Sequence, residues 1–197
     1  MRYDAEHKQK TRERVLQEAA KAIREEGPHR IGVAGVMAKA GLTHGGFYAH
    51  FKSKDDLVTA AIGHMFERSV GRRIRETEGR EPAAGLNAYI DFYLSAGHRD
   101  SRTSGCPMAA LAADLPRLNT DAQTCFAAGV AAATAGIADL LTKLGRDAPE
   151  DLAASAIAEL VGALSLARAE PDKDRSDAML DRSKRLLKSR LGLEGQP

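Results

Sequence analysis

Cys106 carries the sharpest latent chemistry in this chain. It precedes Pro107, which fits the first position of a short helix over Met108 to Leu115, so the thiol stands at or beside a helix N-cap. Arg99 and Arg102 lie just upstream. A helix dipole and a neighbouring guanidinium both favour the thiolate, which is the form that meets oxidants and electrophiles. His98 adds an imidazole, and a thiol–imidazole pair is the start of a nucleophilic site. No third orienting group is evident, so an enzyme is the weaker reading. The plainer alternative is that Cys106 is a small buried hydrophobe. The other cysteine, Cys125, makes no CxxC pair with it, and no metal-ligand spacing occurs. No metal, no cofactor and no catalytic residue are expected.

A second group of polar residues is set closer together: Thr43, His44, Tyr48, His50 and Lys54, interleaved with Gly45, Gly46 and Ala49. These side chains suit hydrogen bonding to phosphates and base edges. The elements that must hold them read as helix, tight turn, short helix. Val33, Val36, Met37 and Ala40 recur at helical spacing. Gly41 follows, placed to take the left-handed conformation that ends a helix. Leu42 plugs the turn. Thr43 is positioned to cap a short helix from His44 to Phe51, on which Phe47 and Phe51 share the inward face. Two helices joined by a glycine-containing turn form a helix-turn-helix, whose second helix enters the DNA major groove.

The stretch AGLTHGGFYAHFKSKDDLV resembles the recognition segment of TetR-type (tetracycline-repressor-like) transcriptional regulators. Gly41, Leu42, Thr43, Phe47, Tyr48, Phe51, Ser53 and Lys54 fit that pattern, and the likeness spans roughly Thr11 to Leu57. One departure is Gly32, which stands where the family usually has a Ser or Thr cap. The resemblance implies an all-α fold of about nine helices. Residues 1–56 form the helix-turn-helix DNA-binding domain and residues 57–197 the effector-binding and dimerisation domain. It also implies a homodimer, formed through the last two helices, that binds a palindromic double-stranded operator. Repression released by a small-molecule effector is the family's common mode.

Site roles follow from the same resemblance, position by position. Thr43 caps the recognition helix and reaches a phosphate. His44 and Gly45 start it, near base edges. Gly46 allows close approach, Tyr48 and His50 stand where relatives touch phosphates, with hydrogen-bonded packing the alternative for either, and Lys54 gives its charge to the backbone. With so few long side chains on this helix, indirect readout of DNA shape is expected. The effector pocket falls to Met65, Phe66, Tyr89, Phe92, Tyr93, Cys106, Met108 and Phe126, most of which serve equally well as plain core. Oxidant or electrophile sensing through Cys106 is the alternative to a reversible ligand; some relatives carry a Gly-Cys pair at a similar place, as Gly105-Cys106 does here.

The remaining elements support this organisation. A first helix is expected over Thr11 to Glu26, stopped by Gly27-Pro28, with Val15, Ala19, Ala22 and Ile23 inward. Asp55 and Asp56 open a longer helix through Val70 that acts as a lever between head and body. Gly71 to Pro82 is charged and punctuated by glycine, and reads as a linker. Further helices are expected over Pro82 to His98, over Thr120 or Asp121 to Leu144, over Glu150 to Ala169 and over Lys173 to Leu191. The last two hold more apolar and small positions than a solvent-facing hairpin needs, which favours a subunit interface over simple completion of the core.

Charge and length fit as well. The net charge of +2 conceals an asymmetry: residues 1–55 hold 11 Lys and Arg against 7 Asp and Glu, and the remainder 18 against 20. A basic head suits a phosphate backbone, although ordinary surface charge can look the same. With 43% hydrophobic residues over 197 positions the chain can bury a core. No stretch is expected to span a membrane, and the polar MRYDAEHKQK start lacks an apolar signal region, so a cytoplasmic protein without membrane partners is expected.

Overall fold

The computed structural model describes residues 2–194, with side chains from Glu6 onward. The described residues form nine α-helices and three short 3₁₀ segments, with no strand. The expected helix count is met with a different membership. The recognition segment is 3₁₀, and an extra one-turn helix appears later in the chain.

The helix α1 spans Arg2–Glu26, starting well before the expected Thr11. Val15, Ala19, Ala22 and Ile23 are buried as their spacing predicts. Gly27 ends it with φ of 85°. The short α2 covers Val33–Lys39 and has Gly32 at its N-cap, with no side-chain bond there. Its far end is well closed. Gly41 adopts φ of 72° and donates to the Ala38 carbonyl at 3.0 Å, while Leu42 donates to Met37 at 2.9 Å. That pair of bonds satisfies the orphan carbonyls of the last turn.

The helix α3 runs Lys54–Thr77 without interruption. The Ser53 hydroxyl accepts from the Asp56 amide at 3.1 Å, and the Asp56 carboxylate accepts from the Lys52 amide at 2.8 Å. This reciprocal arrangement resembles a capping box and fixes where the helix begins. The expected linker from Gly71 is therefore helical through Thr77. A glycine in a charged run costs a helix only about 1 kcal/mol, and packing on α3 outweighs it. The actual break is at Glu78 to Glu81, where Gly79 has φ of 71°.

The helix α4, Pro82–Tyr93, stops short of the expected His98. Ser95 explains the break: its hydroxyl accepts from the His98 amide at 3.1 Å and so caps a separate one-turn helix, α5, Ala96–Asp100. The helix α6 is only Pro107–Leu111. The helix α7, Thr120–Lys143, is capped by Asn119, whose side chain accepts from Ala122 at 2.8 Å, and not by Thr120 or Asp121. The helices α8, Pro149–Ala169, and α9, Lys173–Arg190, form the final antiparallel pair.

α3 packs against α1, α4 and α7, and α7 against α8, which in turn holds α9. One continuous apolar core runs from Val15 in the head to Leu193. Close helix approach is built from glycine at the α3–α7 contact. A Cβ on Gly129 would lie 2.3 Å from the Phe66 ring, and one on Gly63 would meet the Cys125 sulfur at 3.5 Å.

Contrary to expectation, α7 and α8 are each long and apolar enough to cross a membrane by length and composition, with mean hydropathy of 1.6 and 1.5. The reason is their alanine content. Ala133 and Ala138 on α7, and Ala153, Ala156, Ala163 and Ala167 on α8, are buried in this fold. Small residues raise mean hydropathy while letting the two backbones come close.

Candidate nucleic-acid interface and effector cavity

The head presents the segment His44–Ala49 as a 3₁₀ turn of six residues. Two glycines at its start weaken α-helix propensity, and the aromatic pair behind it does the holding. Phe47 and Phe51 are buried, with ring centroids 5.7 Å apart and planes near parallel. Tyr48 crosses Phe47 edge-on at 5.2 Å, yet the residue is 73% exposed. Thr43, His44, Gly45 and Ala49 are exposed, and Gly46 and His50 half-buried.

Two details differ from expectation. Thr43 sits at the N-cap position with extended backbone angles, but its hydroxyl makes no cap bond. In the 3₁₀ geometry the Gly46 amide is instead satisfied by the Thr43 backbone carbonyl at 3.1 Å. The hydroxyl is therefore free of an internal duty. Lys54 donates to the His29 carbonyl at 2.8 Å, so one of its three ammonium protons is committed to the chain. Internal packing does not require glycine at 45 or 46. A Cβ at Gly45 meets nothing within 4 Å, and one at Gly46 only ordinary contact with Met37 at 3.8 Å.

Basic groups gather behind the turn. The Arg12 guanidinium stacks over Phe51 at 5.0 Å. Burial, then the charges of Lys8 and Arg12, lower the His50 pKa below the usual imidazole value. His50 Nδ1 is buried without a partner. His50 thus acts near neutrality as an uncharged polar group, and the positive charge of this surface comes from lysine and arginine.

The second site is a cavity of about 320 Å³ inside the body, bounded by α1, α3, α4 and the segment from Ser95 to Cys106. Of the expected effector residues, Met65, Tyr89, Phe92, Tyr93 and Cys106 line it. Phe66, Met108 and Phe126 do not. Phe66 and Phe126 meet edge-on at 5.3 Å across the α3–α7 contact, and Met108 is buried in the core. Polar residues that apolar spacing does not mark share the wall, among them Arg24, Arg68, Ser69, Arg72, His98, Ser101 and Ser104. A signal for some of them exists. Met65, Arg68, Ser69 and Arg72 fall on one face of α3, which marks a half-buried stripe of mixed character.

His98 is the structural centre of this wall. Its Nδ1 lies 2.8 Å from the Tyr93 carbonyl and must donate to it. Its Nε2 therefore accepts, at 3.1 Å, from the Cys106 backbone amide. The ring stacks on Phe92 at 5.1 Å and meets Tyr93 edge-on at 4.9 Å. Burial first, then the charges of Arg168, Arg72 and Arg24, press its pKa down to about 4 against the opposing Tyr93 bond. The ring is a neutral tautomer with both nitrogens occupied by backbone groups. It has no lone pair left with which to take the Cys106 proton.

Cys106 itself departs from the expected activation. Burial pushes the thiol pKa up; the Tyr93 hydroxyl and the amides of Ala109 and Met108 only partly offset that. The upstream Arg99 turns away, binding Asp100, Asp177 and Ser176. A five-residue helix supplies little dipole, so the desolvation of Cys106 wins.

A helix-turn-helix head continuous, through α3, with an all-helical body that holds a cavity is an architecture suited to a DNA-binding regulator. Comparisons with known proteins agree. Residues 15–61 match the family described as bacterial regulatory proteins, tetR family. The chain is 28% identical over 188 residues to an uncharacterized HTH-type transcriptional regulator of Mycobacterium tuberculosis, covering 91% of this chain and 95% of that one. Among solved structures it is similar to a TetR transcriptional regulator of Chloroflexus aurantiacus, with TM-score 0.80, 25% identity and coverage of 95% and 96%. It also shares its fold with the reduced form of NemR from E. coli, with TM-score 0.81, 20% identity and coverage of 91% and 96%. The match over residues 15–61 and the likeness along most of the chain support a TetR-type transcriptional regulator.

Proposed function

We propose that this regulator is a repressor that binds a palindromic operator as a homodimer and is released by a small molecule held in the cavity. The observation that carries this is the unbroken helix α3. Its capped start supports the exposed turn His44–Ala49, and its second half, through Met65, Arg68 and Arg72, forms a wall of the cavity. Occupancy that favours one tilt of α3 over another shifts the head between DNA-competent and incompetent positions by differential affinity alone.

Residues 1–56 serve as the DNA-binding part and 57–197 as the effector and dimer part. Thr43, His44, Tyr48, His50 and Lys54 are the DNA contacts, with Gly45 and Gly46 allowing close approach. Dimerisation uses α8 and α9, which still present Leu166 at 61% and Leu186 at 56% exposure after the monomer core is complete. Two-fold symmetry then sets two heads on successive major grooves.

The test is binding to the DNA upstream of the protein's own gene at several salt concentrations, with mass measured by light scattering. A dimer whose affinity falls steeply with salt is expected, and Tyr48→Ala should weaken binding about tenfold or more while leaving the melting temperature nearly unchanged. A monomer indifferent to that DNA at low salt contradicts the reading.

A second reading is favoured by the place of Cys106 in the cavity wall. A peroxide there would transfer one oxygen to the sulfur, giving a sulfenic acid and water. Operator release by mild peroxide in the parent, and none in Cys106→Ser, supports it; equal release in both removes it.

A further inference from the structure

The cavity wall is basic in a way that the chain does not answer. Arg24 reaches it from α1, and Arg68 and Arg72 from α3; no carboxylate lines it. Glu76 stands 3.6 Å from Arg72, which it partly compensates. Among the described residues, neither Arg24 nor Arg68 has a carboxylate within 4.0 Å, and nor does Arg168 on the neighbouring wall. Arg24 is held only by carbonyls, from Nε to Gly105 at 2.9 Å and from Nη1 to Ala20 and Thr103 at 3.2 and 3.3 Å. Arg168 likewise donates to the carbonyls of Arg99 and His98, at 3.1 and 3.2 Å. Carbonyls satisfy donors without cancelling charge.

The crowding has visible consequences. Burial, then Arg68 and Arg168 acting against the one opposing contribution of Cys106, lower the Arg24 pKa to about 10. Burial first, and then guanidinium charge, lowers both neighbouring imidazoles: Arg168, Arg72 and Arg24 act on His98, and Arg68 and Arg24 on His64 against Glu67 and Glu13. The other titratable groups of the wall bring no negative charge near neutrality, since Tyr93 and Cys106 are both raised by burial. The buried Tyr93 hydroxyl, which also lines the cavity, has only the weak Cys106 sulfur as a side-chain partner. The remaining wall is flat and apolar: Phe92, under the Arg72 guanidinium at 4.6 Å, with Tyr89 and Met65. A volume of 320 Å³ is near the lower bound of small-molecule sites, about 300 Å³.

Building on the effector reading above, we infer that the cavity takes a compact organic acid, its carboxylate between Arg24 and Arg68 and its flat apolar body along Phe92 and Tyr89. The guanidinium fork matches a carboxylate in geometry and cancels the charge that the carbonyls leave. An amine is repelled by the same wall, and a neutral amide leaves the arginines uncompensated. The acid also has a direct route to the head, because Arg24 belongs to α1. A carboxylate that draws Arg24 away from the Thr103 and Gly105 carbonyls loosens the tie between α1 and the cavity rim.

The test uses the full-length protein with benzoate, phenylacetate and cinnamate, each beside its amide and the corresponding amine. Calorimetry reads binding and fluorescence anisotropy reads operator release. At least one acid should bind and release DNA, with its amide and amine at least tenfold weaker. Arg68→Gln should cost that acid about tenfold or more, the weight of one charge-assisted hydrogen bond, and Arg68→Lys should recover part of it. Arg24→Gln should behave as Arg68→Gln does; should it fail to fold, the Arg68 pair carries the test. Amides or amines that bind as well as the acids overturn the acid assignment and leave the effector reading standing. If no compound of any charge binds or releases DNA, both fall.

Discussion

The Cys106 backbone amide donates to His98 Nε2 at 3.1 Å, and together with the Tyr93 carbonyl at Nδ1 it fixes the tautomer of a buried imidazole. The lone pair that would take a proton in acid is the one receiving that bond. Arg24, Arg72 and Arg168 add to the cost of placing a cation there.

A pH dependence of stability follows from His98. Its folded pKa lies near 4, below the value of about 6.5 in an unfolded chain. Between those values the unfolded chain binds the proton and the folded one does not, so stability falls as pH drops through 6.5 and the loss is complete below about 4. The amplitude is up to about 3 kcal/mol, from the separation of the two pKa values at 1.36 kcal/mol per unit. His50 and His64, also lowered, act in the same direction. Urea unfolding at pH 7 and pH 4.5 measures the loss. His98→Gln, whose amide can both donate to Tyr93 and accept from Cys106, should flatten it; an unchanged slope would show that other groups dominate.

Gly129 and Phe66 set the spacing of α3 on α7. Gly129→Ala drives a methyl into the Phe66 ring, and overpacking of this kind costs about 1–3 kcal/mol. Phe66→Leu alone loses the edge contact with Phe126, worth about 0.5–1.5 kcal/mol. Combined, they should be less destabilising than the sum, because the smaller side chain makes room for the methyl. Denaturant midpoints of the two single variants and the double variant decide this, and strict additivity would refute it.

Ser53 starts α3 through its bond to Asp56. Ser53→Ala should cost about 1 kcal/mol, the usual weight of an N-cap hydroxyl. The loss should be local. Amide exchange should quicken in the first turn, Lys54 to Leu57, while the amides around Ile62 and Met65 keep their protection. Uniform acceleration along α3 would mean the cap is incidental.

Where turn chemistry and apolar spacing decide the structure, the sequence was readable. Gly41 and Leu42 close α2 as a left-handed glycine should, and Phe47 and Phe51 are buried as their spacing demands. The failures share a cause, which is a local signal overruled from a distance. Gly71 looks like a breaker, yet α3 continues through it. Ser95 splits α4 from α5 by a cap that the apolar pattern of Leu86 to Leu94 does not reveal. Asn119 caps α7 one residue before the expected Thr120 and two before Asp121.

The sites divide in the same manner. The exposed turn His44–Ala49 was legible as a structural element because it is continuous in sequence. Five apolar or thiol residues of the cavity wall were expected, but its arginines were not, since Arg24 reads from α1 alone as a solvent-facing charge. Only the fold brings it beside Arg68, which lies 44 positions along the chain. Cys106 shows the reverse error. Neighbours in sequence suggested activation, and the fold turned Arg99 elsewhere and buried the sulfur.

Finally, α3 has no joint between Ser53 and Thr77. Ser53 and Arg72 are separated by about 28 Å at the rise of an α-helix. A rotation of about 5° about a pivot near Arg72 would carry Ser53 through about 2.5 Å, close to the 3.4 Å step between stacked base pairs. Under the proposed function, a sub-ångström adjustment at the arginines would be geared up to the scale on which a duplex distinguishes one register from the next.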